Sequence, residues 1–231
     1  MCSIILLNGV VADAPIVLGA NRDERYDRPA RPPAIVEQNP TVVAPLDEQA
    51  GGTWIGVNEY GLLVALANRD RGPEPTRSRG WLVREALRCE TVEDAEIRVK
   101  SLLEQEQYYG CYVLLVDPTV ARIVAWDGAV TVRTLNPGTH VVVNEGFEDV
   151  PAAQTVKEAI SPPATDTAKE WRSSLQTTLR NHDRGICVHR ERSGTCSSSV
   201  ITWDNDDMLT YLFADGPPCE TDFQLAVKAE L

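Results

Sequence analysis

Cys2-Ser3-Ile4-Ile5-Leu6-Leu7-Asn8-Gly9-Val10-Val11, then Ile16-Val17-Leu18-Gly19-Ala20-Asn21-Arg22-Asp23-Glu24, decide how this chain folds. Ser3 to Val11 is a short apolar run rich in Ile, Leu and Val, which reads as a buried strand. Ala12-Asp13-Ala14-Pro15 turns the chain, and Ile16 to Ala20 is a second short apolar run. Two such runs around a turn predict a β-hairpin. The hairpin returns the end of its second strand beside the start of its first. The charged block Asn21 to Glu24 is therefore expected near Cys2, in a loop just after the second strand.

Outward from the hairpin the pattern continues. Pro29 to Pro33 is too rich in proline for a central strand. Gly51-Gly52-Thr53-Trp54-Ile55-Gly56-Val57-Asn58 turns into a short strand, and Leu62 to Ala67 is another buried strand. Ser78 to Cys89 and Val92 to Glu104 place apolar residues at helical spacing, with Thr91 and Asp94 marking a helix start. Strands follow at Tyr109 to Val116, Ala121 to Trp126, Val130 to Leu135 and His140 to Val143. Helices are predicted over Val150 to Ile160 and Thr165 to Arg180, with last strands at Ile186 to His189, Ser199 to Trp203 and Met208 to Phe213. Strands, helices, strands, helices, strands predict an α+β fold of antiparallel sheets covered by helices. No Pro/Gly/Ser linker divides the chain, so a single domain over 1–231 is expected.

Composition bounds the function. The chain has 231 residues and a net charge of −12. That argues against nucleic-acid partners, which need a basic face for phosphates. Lysine is scarce beside arginine. An acidic, lysine-poor chain fits adaptation to high salt or an ordinary acidic cytosolic protein equally. No run approaches the ~18 apolar residues of a membrane span, and the first apolar run lacks the flanks of a signal peptide. A cytoplasmic protein is expected; its oligomeric state is left open. The six cysteines form no Cys-x-x-Cys pair. His140, His182 and His189 read as too scattered for a cluster, so no metal site is expected.

Cys2 carries the most chemistry. Removal of Met1, expected before so small a side chain, would leave thiol and free α-amine on one residue. The amine titrates near ~7.7–8.0 and serves as a base at neutral pH. A thiol titrating near ~8.5 is the nucleophile. Asp23 could orient that amine, and Arg22 could steady a thiolate or an anionic ligand group. Asn68 and Asn144 offer amide donors for an oxyanion, though each reads equally well as a turn residue.

Taken together, Met1-Cys2, Asn21-Arg22-Asp23-Glu24, Gly51 to Asn58 and His140 to Asn144 resemble the NRDE family of the transport and Golgi organization 2 protein, classed with N-terminal nucleophile hydrolases. The resemblance implies a four-layer αββα sandwich. A more distant likeness is to the choloylglycine hydrolase and penicillin V acylase group. There Cys2 matches the nucleophile, Asp23 the residue assisting the amine, Asn68 an oxyanion donor and Asn144 a later active-site Asn. Asn58-Glu59-Tyr60-Gly61-Leu62 resembles a motif of the same group. Two positions depart: Ala20 stands where those amidases carry Arg, and Cys196 stands where the NRDE family typically has Arg.

The implied activity is hydrolysis of a small amide or thioester, with no cofactor. Catalytic residues would be Cys2, Asp23, Asn68 and Asn144; ligand-binding residues would be Asn21, Arg22, Glu24 and Trp54. The family's links to haem and acyl-CoA or lipid handling imply the alternative, a non-catalytic carrier of haem or an acyl ligand on the same fold.

Overall fold

The computed structural model describes residues 2–69, 72 and 74–230; Met1, whose removal the sequence reading requires, lies outside them. The chain divides into two compact units, one built from the segment ending at Arg28 with Pro137–Glu230, the other from Pro29–Asn136.

The first unit is an antiparallel sheet carrying two helices. Its strands are β1 (Ser3–Val11) and β2 (Ala14–Arg25), then, from the second unit's far side in sequence, β10 (Gly138–Val143), β11 (Gly146–Phe147), β12 (Ser193–Trp203), β13 (Met208–Ala214) and β14 (Gln224–Glu230). Their spatial order is β11-β10-β1-β2-β12-β13-β14. The hairpin thus lies at the middle of a seven-stranded sheet. This position explains why β1 is a continuous apolar run rather than an alternating one: Ile4, Ile5, Leu6 and Leu7 are all buried, so both faces are covered. On one face Ile5, Leu7, Val17, Val141 and Val143 pack with Ala153 and Val156 of helix α3 (Pro151–Ala159) and Leu175 and Leu179 of helix α4 (Ala168–Leu179). Thr167 caps α4 by accepting from the Glu170 N–H.

The second unit repeats the plan. Strands β3 (Ala30–Gln38), β4 (Thr41–Asp47), β5 (Ile55–Asn58), β6 (Leu63–Asn68), β7 (Cys111–Val116), β8 (Ala121–Trp126) and β9 (Val130–Leu135) form a meander in chain order. Helices α1 (Gly80–Ala86) and α2 (Val92–Gln105) bury Leu82, Val83, Val99, Leu102 and Leu103 against Val64, Leu66, Val113 and Leu115. Thr91 caps α2 by accepting from the Asp94 N–H at 3.1 Å, as its spacing predicts. The proline-rich β3 is an edge strand, where missing N–H donors cost no ladder bonds. Gly52 packs on Gly80 so closely that a Cβ would stand 2.6 Å from the Gly80 carbonyl carbon.

Among the described residues, two antiparallel sheets and four helices confirm the α+β class. Three local readings are corrected. Asn21 to Glu24 is not a loop after β2 but part of it, because β12 supplies a pairing partner that no nearby sequence announces. Ile186 to His189 is no strand; it holds a single bridge, His189 to Gly194. β3, β4, β11 and β14 are strands that the reading left out, β3 because its prolines exclude only a central strand, β4 because Pro45 and the acidic residues after it resemble loop, β11 because it is two residues long, and β14 because its run is short and half polar.

Candidate active site

Strand register builds the site. Ser3 pairs with Val143 on β10 and with Asn21 on β2. One step beyond, Cys2 stands level with Asn144 and Arg22, and Arg22 in turn pairs with Ser197 on β12. Residues directly opposite in antiparallel strands share a face. Val143 lies on the helix-covered face, so Ser3 and Asn21 lie there too, and Cys2 and Arg22 point the other way. A row of side chains, Asn144, Cys2, Arg22 and Ser197, thus crosses four adjacent strands or their ends.

The contacts in this row are specific. The Cys2 backbone nitrogen donates to Asn144 Oδ1 at 3.0 Å. That bond fixes which way the Asn144 amide faces and leaves its Nδ2 hydrogens for another acceptor. The Cys2 thiol lies 3.7 Å from the Asp23 carbonyl oxygen. Burial pushes the Cys2 thiol above its ordinary value, and the nearby Asp23 charge pushes it further. Burial also pushes the Asp23 carboxyl up, against a hydrogen bond that Thr195 donates to its Oδ1 at 2.7 Å. Arg22 is 7% exposed and reaches Glu24 at 3.9 Å, while Glu24 also pairs with Arg28 at 3.7 Å.

Asn21 is placed differently from the expectation of ligand contact. It sits on the helix-covered face at 2% exposure, and its Nδ2 donates to the carbonyls of Leu179 and Ile186 at 3.0 and 2.9 Å. That nitrogen braces β2 against the end of α4 and has no hydrogen left for a ligand. Asn68 and Trp54 belong to the second unit. Asn68 ends β6 opposite Cys111, and the Trp54 carbonyl accepts from the Leu66 N–H just before β5. Two residues were not counted among the site candidates, Ser197 reading as a strand-edge hydroxyl. Thr195 holds Asp23, and Ser197 carries a buried hydroxyl with no hydrogen-bond partner among the described residues. Neither had a local signal, since both arrive through the long-range pairing of β12 with β2. At Cys196 the pairing slips by one residue, and the thiol turns to the Glu24 carbonyl at 3.3 Å.

The expected scatter of the histidines is overturned for two of them. His182 and His189 bring their rings within 4.8 Å, beside Cys187 and Cys219, because the loop after α4 doubles back toward β12. His140 stands apart, bonded through Nδ1 to Glu148 at 2.6 Å.

Comparison with known proteins places this geometry. The family model described as Transport and Golgi organisation 2 matches residues 1–183. The chain belongs to that family. The Transport and Golgi organization protein 2 homolog of Bos taurus is 26% identical over 85% of this chain and 84% of its own length. The Mus musculus homolog is 30% identical over 58% of this chain and 51% of its own length. Among solved structures, penicillin V acylase from Agrobacterium tumefaciens is similar with a TM-score of 0.56 at 16% identity, over 93% of this chain and 83% of that one. The Caenorhabditis elegans ortholog of N-acylethanolamine-hydrolyzing acid amidase gives 0.57 at 15% identity, over 87% and 92%. At such identities the likeness shows the fold alone: this family member has the fold of N-terminal nucleophile hydrolases. Among the described residues no helix is long and apolar enough to cross a membrane.

Proposed function

We propose that this chain is an N-terminal-cysteine amidohydrolase acting on a small amide or thioester. One observation carries the reading: the Cys2 nitrogen on Asn144 Oδ1 at 3.0 Å, with the Cys2 thiol 3.7 Å from the Asp23 backbone carbonyl oxygen on the neighbouring strand. With Met1 removed, that nitrogen is a free amine held in place by Asn144. The thiol is held protonated by burial, so it needs a base at the moment of attack, and the amine is the base within reach. The thiol proton passes to the amine as Sγ bonds to the substrate carbonyl carbon. Asn144 Nδ2 then donates to the developing oxyanion. The ammonium returns its proton to the leaving group as the C–N or C–S bond breaks, leaving a thioester on Cys2. Water, deprotonated by the same amine, releases the acid and restores the thiol. Asp23 keeps the amine oriented.

A carrier on the same fold is the second reading, favoured by the buried, protonated thiol and by Cys196 where the family typically has a cation. His140 pairs with Leu6, four residues up β1 from Cys2, so a haem at this row would take the Cys2 sulfur rather than His140 as its protein ligand.

The test is an intact-mass measurement, a limiting thiol-reagent map and a panel of small amides and thioesters, on wild type and Cys2→Ala. Loss of Met1, acylation of Cys2 and no turnover by Cys2→Ala are expected. Retained Met1, or turnover equal in Cys2→Ala, overturns the hydrolase; stoichiometric acyl-ligand binding by both proteins without acylation establishes the carrier.

A further inference from the structure

His182 follows α4, Cys187 and His189 lie on the segment leading into β12, and Cys219 lies in the turn between β13 and β14. One ligand atom from each of the four falls within 4.8 Å of all the others. Cys187 Sγ lies 3.4 Å from Cys219 Sγ and 3.8 Å from His189 Nε2, and His189 Nε2 lies 3.2 Å from Cys219 Sγ. A tetrahedral zinc, with Zn–S about 2.3 Å and Zn–N about 2.0–2.1 Å, sets its ligand atoms about 3.4–3.8 Å apart. The 3.4 and 3.8 Å separations fall within that range, and the 3.2 Å separation lies about 0.2 Å below it. They do not match a disulfide, whose sulfurs stand about 2.05 Å apart.

The surroundings are those of a built site. His182 Nδ1 lies 3.1 Å from the Cys187 carbonyl oxygen, which can only accept. Nδ1 is therefore the donor in that bond, which leaves Nε2 as the ring atom for a metal, the arrangement that orients a ligating histidine. Each ligand-bearing segment is pinned by its own backbone. The N–H groups of Ile186 and Cys187 both donate to the Asn181 carbonyl, at 3.1 and 3.0 Å, and Gly185 N–H donates to the His182 carbonyl at 2.8 Å. The His189 segment is held by Arg190 N–H to Ser193 O at 2.9 Å and Thr195 N–H to Val188 O at 2.7 Å. The Cys219 turn is closed by Glu220 and Thr221 N–H to Pro217 O, at 3.0 and 2.8 Å, and anchored by Arg180 Nε to Pro218 O at 2.8 Å. Segments far apart in sequence converge with two sulfurs and two imidazoles facing inward, with no carboxylate among them.

We propose that His182, Cys187, His189 and Cys219 form a tetrahedral site for a borderline divalent transition metal, zinc being the fitting ion. Two thiolates and two imidazoles with no carboxylate select against magnesium and calcium, which take oxygen ligands. Four protein ligands close the coordination sphere, so the metal is structural rather than catalytic. It ties the loop after α4, the lead into β12 and the β13–β14 turn into one body. This inference stands independently of the hydrolase reading, since none of the four residues lies in the Cys2 row.

The test uses the full chain, stripped by chelator and held in a non-thiol reductant, and titrated with Co²⁺ and then Zn²⁺. The expected result is saturation at about one Co²⁺ per chain, with the visible bands of tetrahedral cobalt, a thiolate-to-cobalt charge-transfer band, and bleaching of both by Zn²⁺. Zn²⁺ should also raise the thermal midpoint of the stripped protein. Cys219→Ser should lose about half of the charge-transfer intensity, Cys187 being the remaining thiolate, and bind at least about tenfold more weakly. His182→Gln, at an exposed position that tolerates change, should lose affinity with the fold intact by circular dichroism. Cys89→Ser, in the second unit, should behave as wild type. No charge-transfer band, octahedral cobalt spectra, or equal binding by His182→Gln and wild type would overturn the site. So would a Cys187–Cys219 disulfide in the isolated protein with no metal uptake after its reduction.

Discussion

Asn58 gives the sharpest test of how the second unit is held. It is fully buried, and its side chain makes four hydrogen bonds. Nδ2 donates to the carbonyls of Leu87 and Cys89 at 2.9 and 2.7 Å, tying β5 to the end of α1. Oδ1 accepts from the N–H groups of Tyr60 and Leu62 at 3.0 and 3.1 Å, closing the turn into β6. Every polar atom of this amide is thus used, and Asn58→Ala removes all four bonds. At about 1 kcal/mol net per bond the loss is ~4 kcal/mol. Stranding all four partners in a dry interior would cost more, but Tyr60 is exposed and Cys89 half-buried, so water reaches some of them and the lower figure holds. The assay is urea unfolding followed by far-UV circular dichroism and tryptophan fluorescence, with Glu59→Ala as a surface control within about 0.5 kcal/mol of wild type. Asn58→Asp keeps the two accepted bonds but turns a second oxygen toward two carbonyl oxygens, so it should be at least as damaging as Asn58→Ala. A loss below about 1 kcal/mol for Asn58→Ala, or an Asp variant milder than the Ala variant, would refute this account.

The other predictions concern the first unit and one glycine contact. Asp23→Asn removes a charge that raises the Cys2 thiol, so alkylation of Cys2 at pH 8 should quicken severalfold while turnover falls; unchanged alkylation would show that the charge does not reach the thiol. Because burial raises the folded Asp23 carboxyl above its unfolded value, that group costs stability at neutral pH, and the cost fades as pH falls through the folded pKa. Asp23→Asn should then be no less stable than wild type at pH 7 by thermal unfolding, and a marked loss would contradict the sign. Thr195→Val deletes the bond to Asp23 at 2.7 Å and the one Thr195 Oγ1 accepts from Val188 N–H at 2.9 Å, for a loss of about 2–4 kcal/mol in urea, whereas Thr195→Ser should stay close to wild type. Gly52→Ala sets a Cβ 2.6 Å from the Gly80 backbone and should cost about 1–3 kcal/mol, measured the same way.

Local chemistry was legible where it was locally determined. The Ile4–Leu7 run, the Thr91 cap and the prolines of β3 each carry their reason within a few residues, and each appears where the pattern puts it. The Asn21 to Glu24 block shows the other case. Four polar residues in a row read as loop, yet all four pair with β12 across a hundred and seventy or more residues of chain. No local pattern announces such a partner. The same holds for His182, Cys187, His189 and Cys219: their spacing matches no metal motif, and only the doubling back of the loop after α4 brings them together. Cys2 and Asp23 were expected to be neighbours because a hairpin has fixed geometry. Thr195 was missed because its route to Asp23 runs through a sheet pairing.

The row at Cys2 also says where its reactivity has to come from. Reactive cysteines elsewhere rest on a lowered pKa, with cations or a helix N-terminus beside the sulfur. Here burial and the Asp23 charge act the other way, and the lowering influence of Arg22 ranks behind both. A thiol in this setting is a poor nucleophile unless a base sits on it. Asn144 already holds the Cys2 nitrogen in position, so the base is supplied by one cleavage, the removal of Met1, and by no rearrangement of side chains. While Met1 remains, that nitrogen is an amide and has no lone pair to accept a proton. On this argument the processing of the N-terminus, more than any side chain in the row, separates a hydrolase from a carrier built on one fold.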